Sequence, residues 1–389
     1  MSNKLSTRTG DIKKFSIFQA KDGGKSVDIL ESIADIKYYE DVLSNTISLS
    51  VTISEAGGSF DKKEGGYVGI LDGLPVRGGE PAIIIIEDHD GHKLEFKNDN
   101  KLYVNRVRNV IPGTQKDTYV IDFSSRELFA NEQCRVCKRY DGKISENVKK
   151  ILTEATSADV GIKTKKKVNV DETSLEYNFI GNDRKPFYVC TWLASKSVPS
   201  QVGDIGGAAG YLFYETYDGF NFRSIDALFQ QERKGNYLFS NVDTNPAGYK
   251  GKVITYDIDR DIDLQNNLML GTYANRTLFF DFYAMNYKAR SYSVDESGGS
   301  SDKKGAGSKG KIVTAGKEEI DSVADEFRKP ISRLMNIVKD VGTLPPGKDI
   351  DAQLEAWKDK PDKSTYDSEQ TVVQSIMRYN QMFSIKINI

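Results

Sequence analysis

The stretch Ser44-Asn-Thr-Ile-Ser-Leu-Ser-Val-Thr-Ile53 decides how the rest of the chain is read. Thr46, Ser48, Ser50 and Thr52 alternate with Ile47, Leu49, Val51 and Ile53. Successive side chains of a β-strand point to opposite faces, so a period of two yields one apolar and one polar face. The apolar face is assigned to a core, the polar face to solvent or a partner. Related runs flank this one. Ile12, Phe15 and Ile17 come first, and Ile33, Ile36, Tyr38 and Tyr39 lead into it. Ala82–Ile86 is a continuous apolar run, the pattern of a strand buried on both faces. Asp90-Gly91 reads as a hairpin turn, because that pair tolerates positive φ, and Leu94 and Phe96 follow it. Leu102–Val110 and Thr118–Phe123 add two alternating strands. At least six short antiparallel strands within residues 11–124 imply a small closed barrel or a sandwich.

Past Ser124 the texture becomes mixed. Ser125–Ala130 reads as a short helix. Ser145 is placed to N-cap Glu146–Ala155, whose Val148, Ile151 and Leu152 share a face. Asn178–Ile180 reads as a strand, and Pro186 opens a helix carrying Phe187, Cys190, Trp192, Leu193 and Ala194. Gly203–Gly210 is a Gly-rich turn, followed by a hairpin folded about Asp218-Gly219. From about Gly251, strands are expected over Val253–Ile258, Ile262–Tyr273 and Thr277–Tyr287. Residues 293–311 then form a Gly/Ser/Lys linker. Lys317–Lys339 carries helix-spaced apolar residues interrupted by Pro330, and Pro345-Pro346-Gly347 stops it. A further helix is expected over Tyr366–Tyr379 and a strand over Met382–Ile389.

Composition narrows the function classes. The 389 residues include 54 Lys plus Arg against 56 Asp plus Glu, a net charge of −2, whereas non-specific nucleic-acid binders carry a basic excess. No run approaches the roughly 20 apolar residues of a membrane helix. The opening MSNKLSTRTG has no apolar core, so no secretory leader is expected. Three cysteines, Cys134, Cys137 and Cys190, are too few and too odd in number for a disulfide scaffold, which fits synthesis in a reducing cytoplasm. The only histidines, His89 and His92, leave little for imidazole catalysis.

Each candidate chemical motif meets a plainer explanation. Cys134-Arg-Val-Cys137 has metal-ligand spacing, but there is no second such pair and the two histidines flank a tight turn. Gly305–Lys311 fits a phosphate loop, yet Ile312 stands where the Mg²⁺-binding hydroxyl belongs and no strand precedes it. Asp257, Asp259, Asp261 and Asp263 would share one face of an extended chain, without the glycine and closing glutamate of a calcium loop. Lys163, Lys165, Lys166 and Lys167 read as a solvated loop, since no aromatic interleaves them to stack on bases. No catalytic, cofactor-binding or metal-binding residue is assigned, and the chain is not expected to be an enzyme.

Four strings carry a resemblance: FSIFQAKDGGKSVDILESIADIKYYEDVLSNTISLSVTISEAGG at 15–58, KPFYVCTWLASKSVP at 185–199, GYLFYETYDGFNFRSIDALF at 210–229 and RYNQMFSIKINI at 378–389. With the order of the blocks, they make the chain resemble the baseplate central hub proteins of T-even-type contractile phage tails, especially those of marine myoviruses. The resemblance implies a β-rich α+β fold. Two tube-like antiparallel β-barrels flank a mixed α+β domain, and a linker and helical insertion interrupts the second barrel. The division it implies is 1–124 for the first barrel and 125–246 for the mixed domain. The second barrel starts at 247–292, is interrupted over 293–365, and resumes at 366–389. It also implies a homotrimer whose six barrels match the hexameric tail tube, with the mixed domain gripping the trimeric puncturing spike. DNA would leave through the lumen without specific binding, past polar residues such as Ser48 and Ser50 or the Asp257–Asp263 face. The partners are further copies, the spike, tube and baseplate proteins, with no membrane segment and no cofactor. The location is the virion tail after synthesis in the host cytoplasm. The family's second barrel runs several strands further than Ile389, which implies a truncated or split C-terminus with open strand edges near 382–389. The competing class is a tail-associated carbohydrate-binding or cell-wall-degrading enzyme, which needs two acids suitably spaced in an aromatic cleft.

One stability prediction follows from composition alone. Loop closure costs only about 0.6 kcal/mol per doubling of length. Removing about ten residues from 293–312 is therefore expected to shift the melting temperature little, and a variant that fails to fold would show that the segment is packed.

Overall fold

Alternation of apolar and polar residues builds the N-terminal sheet. In the computed structural model the described residues are 10–293 (except 21–23, 57–59, 62–66, 88–90, 158, 175, 201–208, 230, 233–234, 240–250, 259–262 and 283–284), 324–338, 344 and 385–388. The first strands are β1 (Asp11–Phe18), β2 (Ser26–Asp28), β3 (Ile33–Tyr39) and β4 (Ser48–Glu55). After a two-stranded piece, β5 (Phe60–Asp61) with β6 (Tyr67–Val68), and a helical turn, α1 (Ile70–Gly73), come four more. These are β7 (Pro81–Glu87), β8 (Lys93–Phe96), β9 (Leu102–Ile111) and β10 (Asp117–Ser125). They form an antiparallel sheet in the order β2-β1-β7-β9-β10-β4-β3, with β8 also paired to β7. Strand β4 alternates as expected, with Leu49, Val51 and Ile53 fully buried and Ser48, Ser50 and Thr52 half-buried on the other side. Its pairing begins at Ser48 rather than Ser44.

Phe15, Ile17, Leu49, Val51, Ala82, Ile84, Leu102, Val104, Ile121 and Phe123 lie in one core, where the Phe15 and Phe123 rings meet edge to face at 5.5 Å. Strand β7 departs from the expectation of burial on both faces. Ala82 and Ile84 are buried, but Ile83, Ile85 and Ile86 are only half-buried. A run of four isoleucines satisfies either pattern, and the antiparallel setting leaves one face partly open. Among the described residues this sheet does not close into a barrel, and β2 and β3 are its ends.

A second core follows. It is framed by α2 (Arg126–Gln133), β11 (Arg139–Tyr140), α3 (Ile144–Thr153), β12 (Lys167–Val170), β13 (Phe179–Ile180), α4 (Pro186–Ser195), β14 (Tyr211–Thr216), β15 (Gly219–Ser224) and α5 (Ile225–Phe229). Pro186 stands in the first turn of α4, where its missing N–H costs nothing. Helix α3 begins two residues earlier than expected, at Ile144, and Ser145 is not its cap. Ser145 instead binds Thr173, donating its N–H to Thr173 Oγ1 at 3.1 Å. Strand β15 pairs antiparallel with β14 and parallel with β12. Phe187, Phe213 and Phe220 pack together in this core.

Downstream come β16 (Tyr237–Phe239), β17 (Gly251–Val253), β18 (Thr255–Ile258), α6 (Leu264–Leu270), β19 (Ala274–Asp281), β20 (Asn286–Ser293), α7 (Asp325–Arg328), β21 (Arg333–Val338) and β22 (Ile385–Asn388). Three expectations fail here. Thr277–Tyr287 is not one strand but runs from β19 into β20, which pair antiparallel. Ile262–Tyr273 is not a strand, because Asp263 accepts the Asn266 N–H at 2.9 Å as an N-cap and Gly271 closes the helix at φ 76°. The helix expected across Lys317–Lys339 gives way to a strand at its end. There Met335 is buried between exposed Leu334 and Asn336, and β21 runs parallel to β19. Pro330 breaks the helix, and an open neighbour supplies the hydrogen bonds that select the period of two. Strand β22 lies antiparallel on β18, pairing Thr255 with Asn388 and Ile258 with Ile385. The expected helix at Tyr366–Tyr379 and the glycine-rich Gly305–Lys311 lie outside the described residues.

Candidate functional site

The polar face that the sequence singled out lies on the side of the first sheet opposite the Leu49, Val51 and Ile53 core. Strand register places its residues in rows. Lys37 pairs with Ser50, Ser50 with Asp122, and Asp122 with Arg106. A second row runs Tyr39, Ser48, Ser124 and Tyr103. The rows floor a shallow cleft of about 280 Å³ lined in part by Tyr39, Ser50, Arg106, Arg108 and Asp122.

Asp122 is the hub of this face. Its Oδ1 accepts the Ser50 hydroxyl at 2.7 Å and Arg108 Nη2 at 3.2 Å. Its Oδ2 accepts Arg106 Nη2 at 2.9 Å and Arg108 Nε at 2.8 Å. Burial works to raise the carboxyl pKa, but the bonds from Arg108, Ser50 and Arg106 outweigh it and hold it below the ordinary aspartate value. Two guanidinium groups on one carboxylate leave this cluster with a surplus positive charge. The sequence reading named Ser48 and Ser50 on this face and missed Arg106 and Arg108, which approach Asp122 from the neighbouring strand.

Asp122→Asn is expected to cost about 1 kcal/mol at neutral pH, the low end for charged hydrogen bonds because solvent reaches both guanidinium groups. A carboxyl with a depressed native pKa stabilises the fold above its unfolded value and loses that contribution as pH falls through the native one. The difference between variant and wild type, measured by urea unfolding, should therefore vanish in strong acid.

A second cluster joins the first sheet to the second core. Glu215 on β14 is fully buried. Its Oε2 accepts the Ile47 N–H at 3.1 Å and the Ser125 hydroxyl at 2.8 Å, and its Oε1 accepts Lys166 Nζ at 2.6 Å. Nearby Tyr217 accepts the Glu95 N–H at 3.2 Å, sets its ring edge-on to Phe96, and donates its N–H to Glu40 Oε1 at 2.6 Å. The β14–β15 hairpin thus anchors itself in the first sheet. Lys166 corrects the reading of Lys163–Lys167 as a solvated run: its side chain is only 3% exposed, whereas that of Lys165 is 76% exposed. The available signal was Glu215 itself, an acid in the apolar strand Tyr-Leu-Phe-Tyr-Glu-Thr.

The other candidates do not converge. Cys134 is buried, and exposed Cys137 donates its thiol to Asp183 at 2.7 Å. His89, Asp259 and Asp261 lie outside the described residues, and Asp263 caps α6 rather than extending a strand. Among the described residues no three His, Cys, Asp or Glu gather to hold a metal ion, and no helix is long and apolar enough to cross a membrane.

No protein-family model matches the chain, and no curated protein matches its sequence. Solved structures do resemble it. The 43 kDa tail protein of prophage MuSo2 from Shewanella oneidensis is 11% identical, with a TM-score of 0.41 over 85% of this chain and 74% of that one. A tail protein from Neisseria meningitidis MC58 is 10% identical, with a TM-score of 0.41 over 96% of this chain and 79% of that one. A component of the Escherichia coli type VI secretion system, described as structurally similar to the T4 bacteriophage tail proteins gp27 and gp5, is 8% identical, with a TM-score of 0.33 over 67% and 55%. At these TM-scores the likenesses decide neither family nor function, which are argued from the chain's own residues.

Proposed function

We propose that the chain is a structural protein of a contractile phage tail, the trimeric baseplate hub that joins the hexameric tube to the trimeric spike. The observation that carries the reading is the first sheet. One face is sealed by a continuous apolar core, while the other presents a ladder of polar residues four strands wide from Lys37 to Arg106. Such a face suits a wall between a packed interior and an aqueous passage, and two of its four strands, β3 and β4, lie within the string 15–58 that resembles the hub proteins. The downstream strands add support for assembly. Phe282, Met285, Tyr287 and Leu334 are exposed large apolar residues, the kind of surface that self-association or a partner covers. In this reading the first sheet belongs to one tube-like barrel, the segment after Gly251 to a second, and the core between them faces the spike. DNA would pass without being held, because the cations of this face are engaged, Lys37 by Asp35 and both Arg106 and Arg108 by Asp122, and the chain as a whole has no basic excess.

Closed cyclic symmetry is the common way for identical chains to cover such surfaces. Sedimentation of the full-length chain with the spike of the same particle is expected to give a complex with three copies. A chain that remains monomeric with the spike present would count heavily against the hub.

A further inference from the structure

The joint between the first sheet and the second core holds more buried carboxylate than buried cation. Glu215 and Glu127 have side chains 0% and 1% exposed and share Lys166, itself 3% exposed. Lys166 Nζ lies 2.6 Å from Glu215 Oε1 but 3.5 Å from Glu127 Oε2, and that second oxygen has no hydrogen-bond donor. Thr164 donates its hydroxyl to Glu127 Oε1 at 2.8 Å. Arg126, on the same helix, stands 3.7 Å from that oxygen with its side chain 44% exposed, so water weakens its attraction. Tyr38 of β3 also senses Glu215 electrostatically, and its hydroxyl is committed to Glu40. Ser125 and the Ile47 N–H complete the surroundings. Two full negative charges facing one buried positive charge are costly at low dielectric, and a proton taken up by the cluster removes the surplus.

We propose that Glu215, Glu127 and Lys166 form a proton-holding clasp, which is tight when the carboxylate pair carries one proton and looser when that proton leaves. The clasp is placed to act on the joint because Glu215 reaches the backbone of Ile47 at the entrance of β4, 168 residues away in sequence. The direction of the Glu215 shift agrees: burial raises its pKa, while Lys166 and Ser125 oppose the rise and Glu127 adds to it. The sign follows from linkage. A carboxyl whose native pKa is raised binds its proton more tightly when folded. The folded state is therefore favoured at the acid end and loses that advantage as pH rises from the ordinary glutamate value through the native one.

The test is urea unfolding of the full chain across that pH range, wild type beside Glu127→Gln. The variant leaves one carboxylate for one lysine and keeps the Glu215 bonds. In the wild type, release of the extra proton should lower the folding constant by up to tenfold per pH unit within the window. In Glu127→Gln that fall should be smaller, because burial still raises the Glu215 pKa but the second carboxylate no longer adds to it, and two parallel profiles would overturn the proposal. If the variant does not fold, the wild type alone decides. Carbon-13 NMR of labelled glutamate carboxyls should show one buried carboxyl still protonated where exposed ones are ionised. Exchange at the Ile47 amide, corrected for intrinsic base catalysis, should accelerate as that carboxyl titrates. All glutamates titrating at ordinary values, or Ile47 protection independent of pH, would equally overturn it.

Discussion

Lys166→Met is expected to lower the stability of the fold by about 3–5 kcal/mol at neutral pH, the cost of stripping the partner from a buried ion pair. Methionine fills much of the same volume, so the loss is electrostatic rather than a cavity effect. It leaves Glu215 and Glu127 facing each other with no buried cation, and the Ile47 N–H and Ser125 hydroxyl then solvate Glu215 alone. Urea unfolding measures the deficit directly. It should shrink as pH falls, because protonation neutralises the stranded carboxylates. Lys165→Met is the matched control: its ammonium lies 3.4 Å from Asp99 with both side chains in water, so no measurable change is expected. Equal effects from the two neighbouring substitutions would mean that Lys166 is not buried as described.

Gly219→Ala is expected to cost about 4 kcal/mol, combining backbone strain with overpacking. Gly219 sits at φ +134°, and an added Cβ would lie 2.1 Å from the Lys167 carbonyl oxygen. The obstruction is backbone, so no flexible side chain can swing away. Relief requires β12 to move from β15, and Lys167 pairs with Gly219 one residue beyond Lys166. The substitution therefore strains both the three-stranded sheet and the buried cluster. Gly91 also has positive φ, at +82°, but an added Cβ there meets nothing within 4 Å. Gly91→Ala should cost only the backbone contribution, about 1 kcal/mol. Thermal denaturation of the two variants separates them, and comparable losses would contradict the close approach of β12.

Those two glycines show what the sequence reveals. Asp218-Gly219 and Asp90-Gly91 both read as hairpin turns, and strands pair across both. Only the structure distinguishes them, because the neighbour crowding Gly219 comes from a strand some fifty residues away. The alternation in Ser44–Ile53 and the first-turn Pro186 were legible because local geometry alone enforces them. Lys317–Lys339 misled because Leu334, Ile337 and Val338 satisfy a helical spacing while Arg333, Met335 and Ile337 satisfy a strand, and the choice was made by β19. In Ile262–Tyr273 the apolar content hid the Asp263 and Gly271 caps. Lys166 looked like its neighbours because burial of one lysine in a run depends on acids brought from α2 and β14. Arg106 and Arg108 were visible within their strand, but the register that sets them on Asp122 was not.

The central claim is that this chain is a wall of the tail where tube meets spike. Electron microscopy of purified phage particles, with an antibody label against this chain, tests it most directly. The account predicts label confined to the baseplate end of the tail, on the axis between tube and spike. Particles that carry no label, or that carry it on the head or along the tail fibres, would contradict it.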